Sequence, residues 1–200
     1  MAADAAMRIR GAVATLAFAC CTTSALADMP QASAAPAAAA TAVTLVNPGF
    51  EAPDAAPPGF PGWTASVHSN PRAYAFAIDT GVHHAGTASL RITRVGDEPW
   101  GMITQALPPA GLTGRTIEWS AWLRIDKAAG PGAVLSIATT AHGATDRVVF
   151  LEPALAGTKD WTQARVRLAI PPGTSVVEVS AMLQGSGTLW VDDAKLEVLP

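Results

Sequence analysis

Charge is scarce in this chain of 200 residues: Asp, Glu, Lys and Arg make up only 14%, and the formal net charge is -3. A surface this short of basic groups cannot neutralise a phosphate backbone, so no nucleic-acid partner is expected. Cysteine occurs only as Cys20 and Cys21, and tyrosine only as Tyr74. No apolar run reaches the roughly 18 to 20 residues of a membrane-spanning helix, so no such span is expected. Amphipathic helical stretches of useful length are missing as well. Glycine and proline are plentiful, at 17 and 16 residues, in a chain that is 50% apolar. Length and composition suit one ordinary domain with short appendages.

The amino terminus reads as an export signal. Arg8 and Arg10 precede an apolar stretch from Gly11 to Cys21, and Ala25-Leu26-Ala27 has the small-x-small pattern that a signal peptidase cuts. Removal of residues 1–27, with cleavage before Asp28, is the expectation, and it sends the protein to the periplasm or the medium. Met7 as the start would leave the same signal. A lipoprotein would carry a larger aliphatic residue three places before its cysteine, where Ala17 and Phe18 stand. Both cysteines fall in the removed segment, so the mature chain is expected to have no thiol, no disulfide and no Cys metal site. Residues 28–42 are almost wholly Ala, with Pro30 and Pro36 among them. A run so poor in large apolar groups cannot offset its ordering entropy and reads as a disordered linker. The folded domain is then residues 43–200, long enough for one substantial core.

Within that domain a period of two dominates. Ile117, Trp119, Ala121, Leu123 and Ile125 alternate with Thr116, Glu118, Ser120, Trp122, Arg124 and Asp126, the pattern of a strand with one buried face. Thr162 to Ile170 alternates likewise, as does Val177 to Leu183. Shorter strands are expected at Ala73 to Asp79, Ser89 to Thr93, Met102 to Leu107, Val134 to Thr139, Asp146 to Phe150 and Thr188 to Glu197. Clusters such as Gly130-Pro131-Gly132 and Pro171-Pro172-Gly173 punctuate them as turns. The fold class expected is all-β, a jelly-roll β-sandwich of two antiparallel sheets.

Val46-Asn47-Pro48-Gly49-Phe50-Glu51 followed by Gly62-Trp63, then His84-Ala85-Gly86-Thr87-Ala88-Ser89-Leu90-Arg91-Ile92, Ser120-Ala121-Trp122-Leu123-Arg124, Gly157-Thr158-Lys159-Asp160-Trp161-Thr162 and Gly187-Thr188-Leu189-Trp190-Val191-Asp192-Asp193 occur in this order. The set resembles carbohydrate-binding modules of the families 4, 9 and 22 type, which are galactose-binding-like jelly rolls. The resemblance spans Val43 to Leu199. Trp100-Gly101-Met102-Ile103-Thr104-Gln105, Gly157-Thr158-Lys159-Asp160-Trp161 and Met182 to Asp193 also resemble accessory jelly rolls that precede bacterial peptidase domains. A shared fold does not choose between their ligands.

The resemblance implies a structural calcium ion (Ca2+), with Glu51 and Asp192 as carboxylate ligands, Asp193 as a substitute, and main-chain carbonyls near Leu45, Asn47, Gly86 or Thr87. Calcium takes 6 to 8 oxygen ligands, so such a set is chemically coherent. The alternative is a turn carboxylate and an ordinary strand end. The resemblance also implies a sugar platform, in which aromatic rings stack on apolar sugar faces and polar side chains catch hydroxyls. Alternation puts Glu118, Trp122 and Arg124 opposite the core-facing Trp119, and Trp190 and Met182 join them if their strands share that sheet. Trp63, Tyr74 and Trp100 are candidates at the rim. Trp119 and Trp161 are assigned to packing. His83 and His84 would point to opposite sides of an extended segment and could not chelate one metal; with His68 and His142 they read as loop or surface residues.

Catalytic signatures are lacking: the sequence has no Gly-x-Ser-x-Gly elbow, no Cys nucleophile for the mature chain and no phosphate-cradling loop. Three readings stay open. The first is an exported, non-catalytic carbohydrate-binding module that holds a polysaccharide or oligosaccharide on its concave sheet. The second is an accessory jelly roll whose partner is a protein or envelope component. The third is a glycoside hydrolase-associated enzyme with an unrecognised acid/base pair. A monomer is expected in each case.

Overall fold

The computed structural model describes residues 39–51 and 60–200. The expected signal peptide and most of the expected linker lie outside the described residues. The strands are β1 (Thr41–Val43), β2 (Thr64–Val67), β3 (Tyr74–Asp79), β4 (Ser89–Arg94), β5 (Trp100–Leu107), β6 (Thr116–Ala141), β7 (Ala144–Phe150), β8 (Leu155–Ala169) and β9 (Val176–Val198). β1 takes in Thr41 and Ala42, which pair with Val198 and Glu197, so strand pairing reaches into the stretch read as linker. Pairing with the last strand supplies the order that local composition does not.

All pairings are antiparallel, and β6 and β9 run beside each other along almost their whole lengths. Each of these two strands serves both layers of the sandwich. The amino-terminal half of β6 pairs with β8 and the carboxy-terminal half of β9, which in turn pairs with β4, and β4 with β3. The carboxy-terminal half of β6 pairs with β7 and the amino-terminal half of β9, which continues through β5 to β2. The first layer is thus β3-β4-β9-β6-β8, and the second is β2-β5-β9-β6-β7. Together they form the jelly roll.

The crossing corrects one reading of the sequence. Gly130-Pro131-Gly132 is not a turn between strands but a corner inside β6, flanked by register shifts at Asp126/Ala129 and Ala129/Gly132. Gly132 has φ +98, and Gly185 on β9, which lies against Ala129 and Gly130, has φ +92. Extra residues at a bulge bend a strand sharply, and glycine allows both the backbone angle and the close approach.

The alternation read along β6 and β9 sets the core. Ile117, Trp119, Leu123, Val177, Val179, Leu183, Leu189 and Val191 are all at most 1% exposed. Trp119 Nε1 donates to the Ser180 carbonyl at 3.1 Å, which satisfies its one polar atom in the interior. Trp63 packs against Trp119 with ring centroids 6.0 Å apart, and Phe50 against Trp63 at 5.3 Å. Gln105, also buried, accepts the Val46 N–H at 2.8 Å and donates to its carbonyl at 3.0 Å. The side chain thereby acts as one strand partner and ties the amino-terminal segment to β5.

Candidate functional site

On the outer face of the second layer lies a cleft of about 350 Å³. Period-two alternation produces it: Trp100, Met102 and Thr104 point outward on β5 because Gly101, Ile103 and Gln105, which alternate with them, are buried. On β9 the outward series is Glu178, Ser180, Met182 and Gln184. Register sets them side by side, with Trp100 opposite Gln184, Met102 opposite Met182, Thr104 opposite Ser180 and Ala106 opposite Glu178. Thr104 and Ser180 hydroxyls lie 2.8 Å apart in a hydrogen bond. β7 supplies the opposite side with Val148 and Phe150, which are 46% and 42% exposed. An indole and a phenyl ring thus flank a sulfur-lined floor carrying hydroxyls, an amide and one carboxylate. Among the described residues, no lysine or arginine lines this cleft.

His68 holds Trp100 from behind, edge to ring, with centroids 6.0 Å apart at 80°. Its Nδ1 lies 3.0 Å from Glu98 Oε2, and Glu98 Oε1 accepts the Asn70 N–H at 2.9 Å. The Asn70 hydrogen bond, with a smaller contribution from His68, keeps the Glu98 carboxyl below its usual range.

The first layer carries most of the residues named from the sequence, and here the structure separates them. Trp122 does face outward, but the His84 ring stacks on it at 4.0 Å and 14°, and Trp161 meets His84 edge-on at 5.7 Å. His84 is therefore no free surface histidine. Its Nδ1 lies 2.6 Å from Asp193 Oδ2, and the His84 and Ala85 N–H groups donate to Asp192 Oδ2, which docks the loop over the indole. Glu118 is buried and accepts from Arg165 Nη1 at 3.4 Å and Arg167 Nε at 2.6 Å, so its lone pairs serve a structural ion-pair cluster. Trp190 and Arg124 are neighbours on the outer surface, with the guanidinium 5.8 Å from the ring centroid. Trp63 and Tyr74 are not rim residues. Trp63 is 6% exposed with Nε1 on the Val46 carbonyl at 2.9 Å, and Tyr74 is 3% exposed with its hydroxyl on the Gly185 carbonyl at 2.9 Å. Both rings have their polar atom satisfied by backbone and their faces in the core, which explains the correction.

Of the residues assigned to calcium, Glu51 and Asp192 both lie near Gly49. A β-carbon placed on Gly49 would lie 3.8 Å from Asp192 Oδ1 and 4.0 Å from Glu51 Oε1, so both carboxylates approach that glycine. Burial pushes the Asp192 carboxyl up, and a nearby cation would relieve that penalty. Glu51 is held low by the Thr87 hydroxyl and N–H, at 2.6 Å and about 3 Å. These donors use part of the carboxylate capacity, and Asp192 Oδ1 accepts only the Asp193 N–H at 2.7 Å among the hydrogen bonds of the described residues. Glu51 and Asp192 supply hard oxygen donors of the kind calcium takes, while among the described residues no group of three or more His, Cys, Asp or Glu is placed to hold a metal ion. Asp193 is engaged with His84 instead.

Of the cleft residues, Trp100 and Met182 are ones that the sequence points to. Met102, Thr104, Phe150, Glu178, Ser180 and Gln184 went unnamed as ligand contacts. Their signal was present as the outward half of an alternating strand, but nothing local says which outward halves lie together.

The strand order and the two shared long strands define the class: a jelly-roll β-sandwich, a fold also found in carbohydrate-binding modules. Among solved structures, the chain is similar to the CBM22-1 xylan-binding domain from Paenibacillus barcinonensis Xyn10C, with TM-score 0.60, 16% identity and coverage of 81% of this chain and 98% of that one. It is also similar to the Clostridium thermocellum xylanase 10B CBM22-1-GH10 modules complexed with xylohexaose, with TM-score 0.58 and 12% identity over 80% of this chain and 29% of that one. A third likeness is to the enzymatically active domain of bacteriophage CBA120 tailspike protein 4, with TM-score 0.58 and 13% identity over 78% of this chain but only 21% of that one. At these identities the likeness is one of fold. No family model and no curated protein matches the sequence.

Proposed function

We propose that the protein is an exported, non-catalytic glycan-binding module that holds a neutral oligosaccharide in the cleft of the second layer. The observation that carries this reading is the cleft itself, where Trp100 and Phe150 flank Met102 and Met182 while Thr104, Ser180 and Gln184 offer hydroxyl and amide partners. A pyranose has apolar C–H faces for the first group and hydroxyl edges for the second. Solved neighbours named for xylan and xylohexaose support the same ligand class. Glu178 is the one carboxylate lining the cleft among the described residues, whereas glycoside hydrolysis uses a pair roughly 5 to 10 Å apart. Catalysis therefore has no second partner there.

The test is titration of the chain lacking residues 1–27 with xylohexaose and with gluco-, manno- and galacto-oligosaccharides. At least one neutral oligosaccharide should bind, and Trp100→Ala should weaken it about tenfold or more, a loss of about 1.4 kcal/mol, with the melting temperature nearly kept. An absence of neutral-glycan binding, or unchanged affinity in folded Trp100→Ala, would turn the reading towards the exposed Val148 and Phe150 as a protein-docking surface.

Calcium belongs to the same proposal, held by Glu51 and Asp192. A bound cation would neutralise their charge and pin the segment around Gly49 to the end of β9. Saturating calcium at 100 times its dissociation constant should stabilise the fold by about 2.7 kcal/mol, since the ion binds only the folded site. Melting curves that coincide in calcium and in chelator would remove the ion.

A further inference from the structure

A second recess, of about 340 Å³, lies on the outer face of the first layer, the other sheet from the cleft. Trp190 forms one side of it, and Arg91, Trp190 and Arg124 stand in one row across β4, β9 and β6. The indole is locked: its Nε1 donates to Asp79 Oδ2 at 2.9 Å, and the same oxygen takes Arg91 Nη1 at 3.1 Å. Asp79 therefore neutralises Arg91 and fixes the ring. The other flanking cation is held differently. Arg124 Nη1 lies 3.6 Å from Asp160 Oδ1, too long for a hydrogen bond, and that carboxylate is 83% exposed. Its Oδ1 already accepts the Trp161 N–H at 2.9 Å. An ion pair this open to water contributes little and is readily exchanged. Lys159 adds a second positive charge to the lining, while Asp126 is taken up by Thr158, whose hydroxyl donates to it at 3.1 Å.

We propose that this recess is a second ligand site, for a carboxylated sugar such as a uronic acid. The sugar carboxylate displaces Asp160 and takes a two-point bond from the Arg124 guanidinium, whose planar fork matches a carboxylate and is already oriented by the indole beside it. The apolar side of the pyranose rests on Trp190, and Lys159 reaches the anionic end. Asp160 is in effect a stand-in for the ligand, a carboxylate of the chain itself parked at the guanidinium. The two sites differ in charge: the cleft has Glu178 and no cation, whereas the recess has the cations Arg124 and Lys159 alongside the carboxylates Asp126 and Asp160. A polymer carrying both neutral and acidic sugars would satisfy both faces. The proposal does not rest on the cleft reading.

Asp160→Asn is the decisive variant. It removes the competing carboxylate, leaves Arg124 and Trp190 intact, and should tighten binding several-fold, a gain that a misfolded protein cannot imitate. D-glucuronic acid and trigalacturonate serve as the free and polymeric probes, with glucose and sulfate as controls. Uronate should bind at least tenfold tighter than glucose, and Arg124→Gln should abolish that preference. Equal binding of glucuronic acid and trigalacturonate would identify a terminal sugar as sufficient, while tighter binding of the trimer would identify a chain; either supports the site. Uronate binding no better than glucose, sulfate competing as well as uronate, or no gain in Asp160→Asn would overturn it. Trp100→Ala should leave uronate affinity unchanged, and Arg124→Gln should leave neutral oligosaccharide binding unchanged, so the failure of one site is told apart from the failure of the other.

Discussion

Trp119→Ala should destabilise the fold by about 3–5 kcal/mol, the range for truncating a large buried aromatic. Trp119 is 0% exposed and contributes both packing and a buried hydrogen bond. Its ring packs on Trp63, which packs on Phe50, so the cavity would open at the junction between the amino-terminal segment and β6. Its Nε1 bond to the Ser180 carbonyl spans the two layers, and truncation leaves that acceptor without its donor. The denaturant midpoint reads the loss directly, provided the slope stays constant, and the melting temperature should fall on the order of 10 °C. Trp122→Ala is the built-in comparison. Half-buried under His84, Trp122 should lose much less stability than Trp119 when truncated. Equal losses at the two positions would contradict the assignment of Trp119 to the centre and Trp122 to a covered surface.

Gly185→Ala should cost on the order of 3 kcal/mol, combining an unfavourable positive φ with an overpacking clash. A methyl group at Gly185 would sit 2.1 Å from the Ala129 carbonyl oxygen. That oxygen is backbone, fixed by pairing in the corner where β6 and β9 pass from one layer to the other, so it cannot swing aside as a side chain would. Gly132→Ala should behave alike, with its added carbon 2.3 Å from the Leu155 carbonyl oxygen. Gly173 provides the control. It has φ +81 but nothing within 4 Å of an added β-carbon, so Gly173→Ala reports the backbone angle alone, about 1–2 kcal/mol. Urea denaturation of the three variants separates the contributions, and a Gly185→Ala loss no larger than that of Gly173→Ala would mean that the strands do not approach so closely at the corner.

Much of the architecture was legible because alternation is local. The run from Ile117 to Ile125 announces its buried face without reference to any other part of the chain, and the structure buries those five residues. Gly130-Pro131-Gly132 was misread for the same reason. A glycine-proline cluster has the chemistry of a turn and of a bulged corner alike, and only the presence of β9 alongside, with its own Gly185 and Gly187, makes it a corner. Histidine was the other weak point. Nothing next to His84 in the sequence points to Trp122, because the contact depends on Asp192 and Asp193 drawing the loop inward from the end of β9.

The amino-acid sequence by itself determined the all-β class, the faces of the long strands and the outward position of Trp122 and Arg124, since the pleat turns successive side chains to opposite sides. Tertiary structure alone decided which outward residues stay open. His84 arrives over Trp122, Arg165 and Arg167 close over Glu118, and Trp63 and Tyr74 sink into the core, whereas Trp100 comes to border a cleft shared by β5, β6, β7 and β9. Cover and neighbourhood depend on strand order and register, which bring together residues far apart in the chain, and no pattern within one strand encodes its partner's side chains.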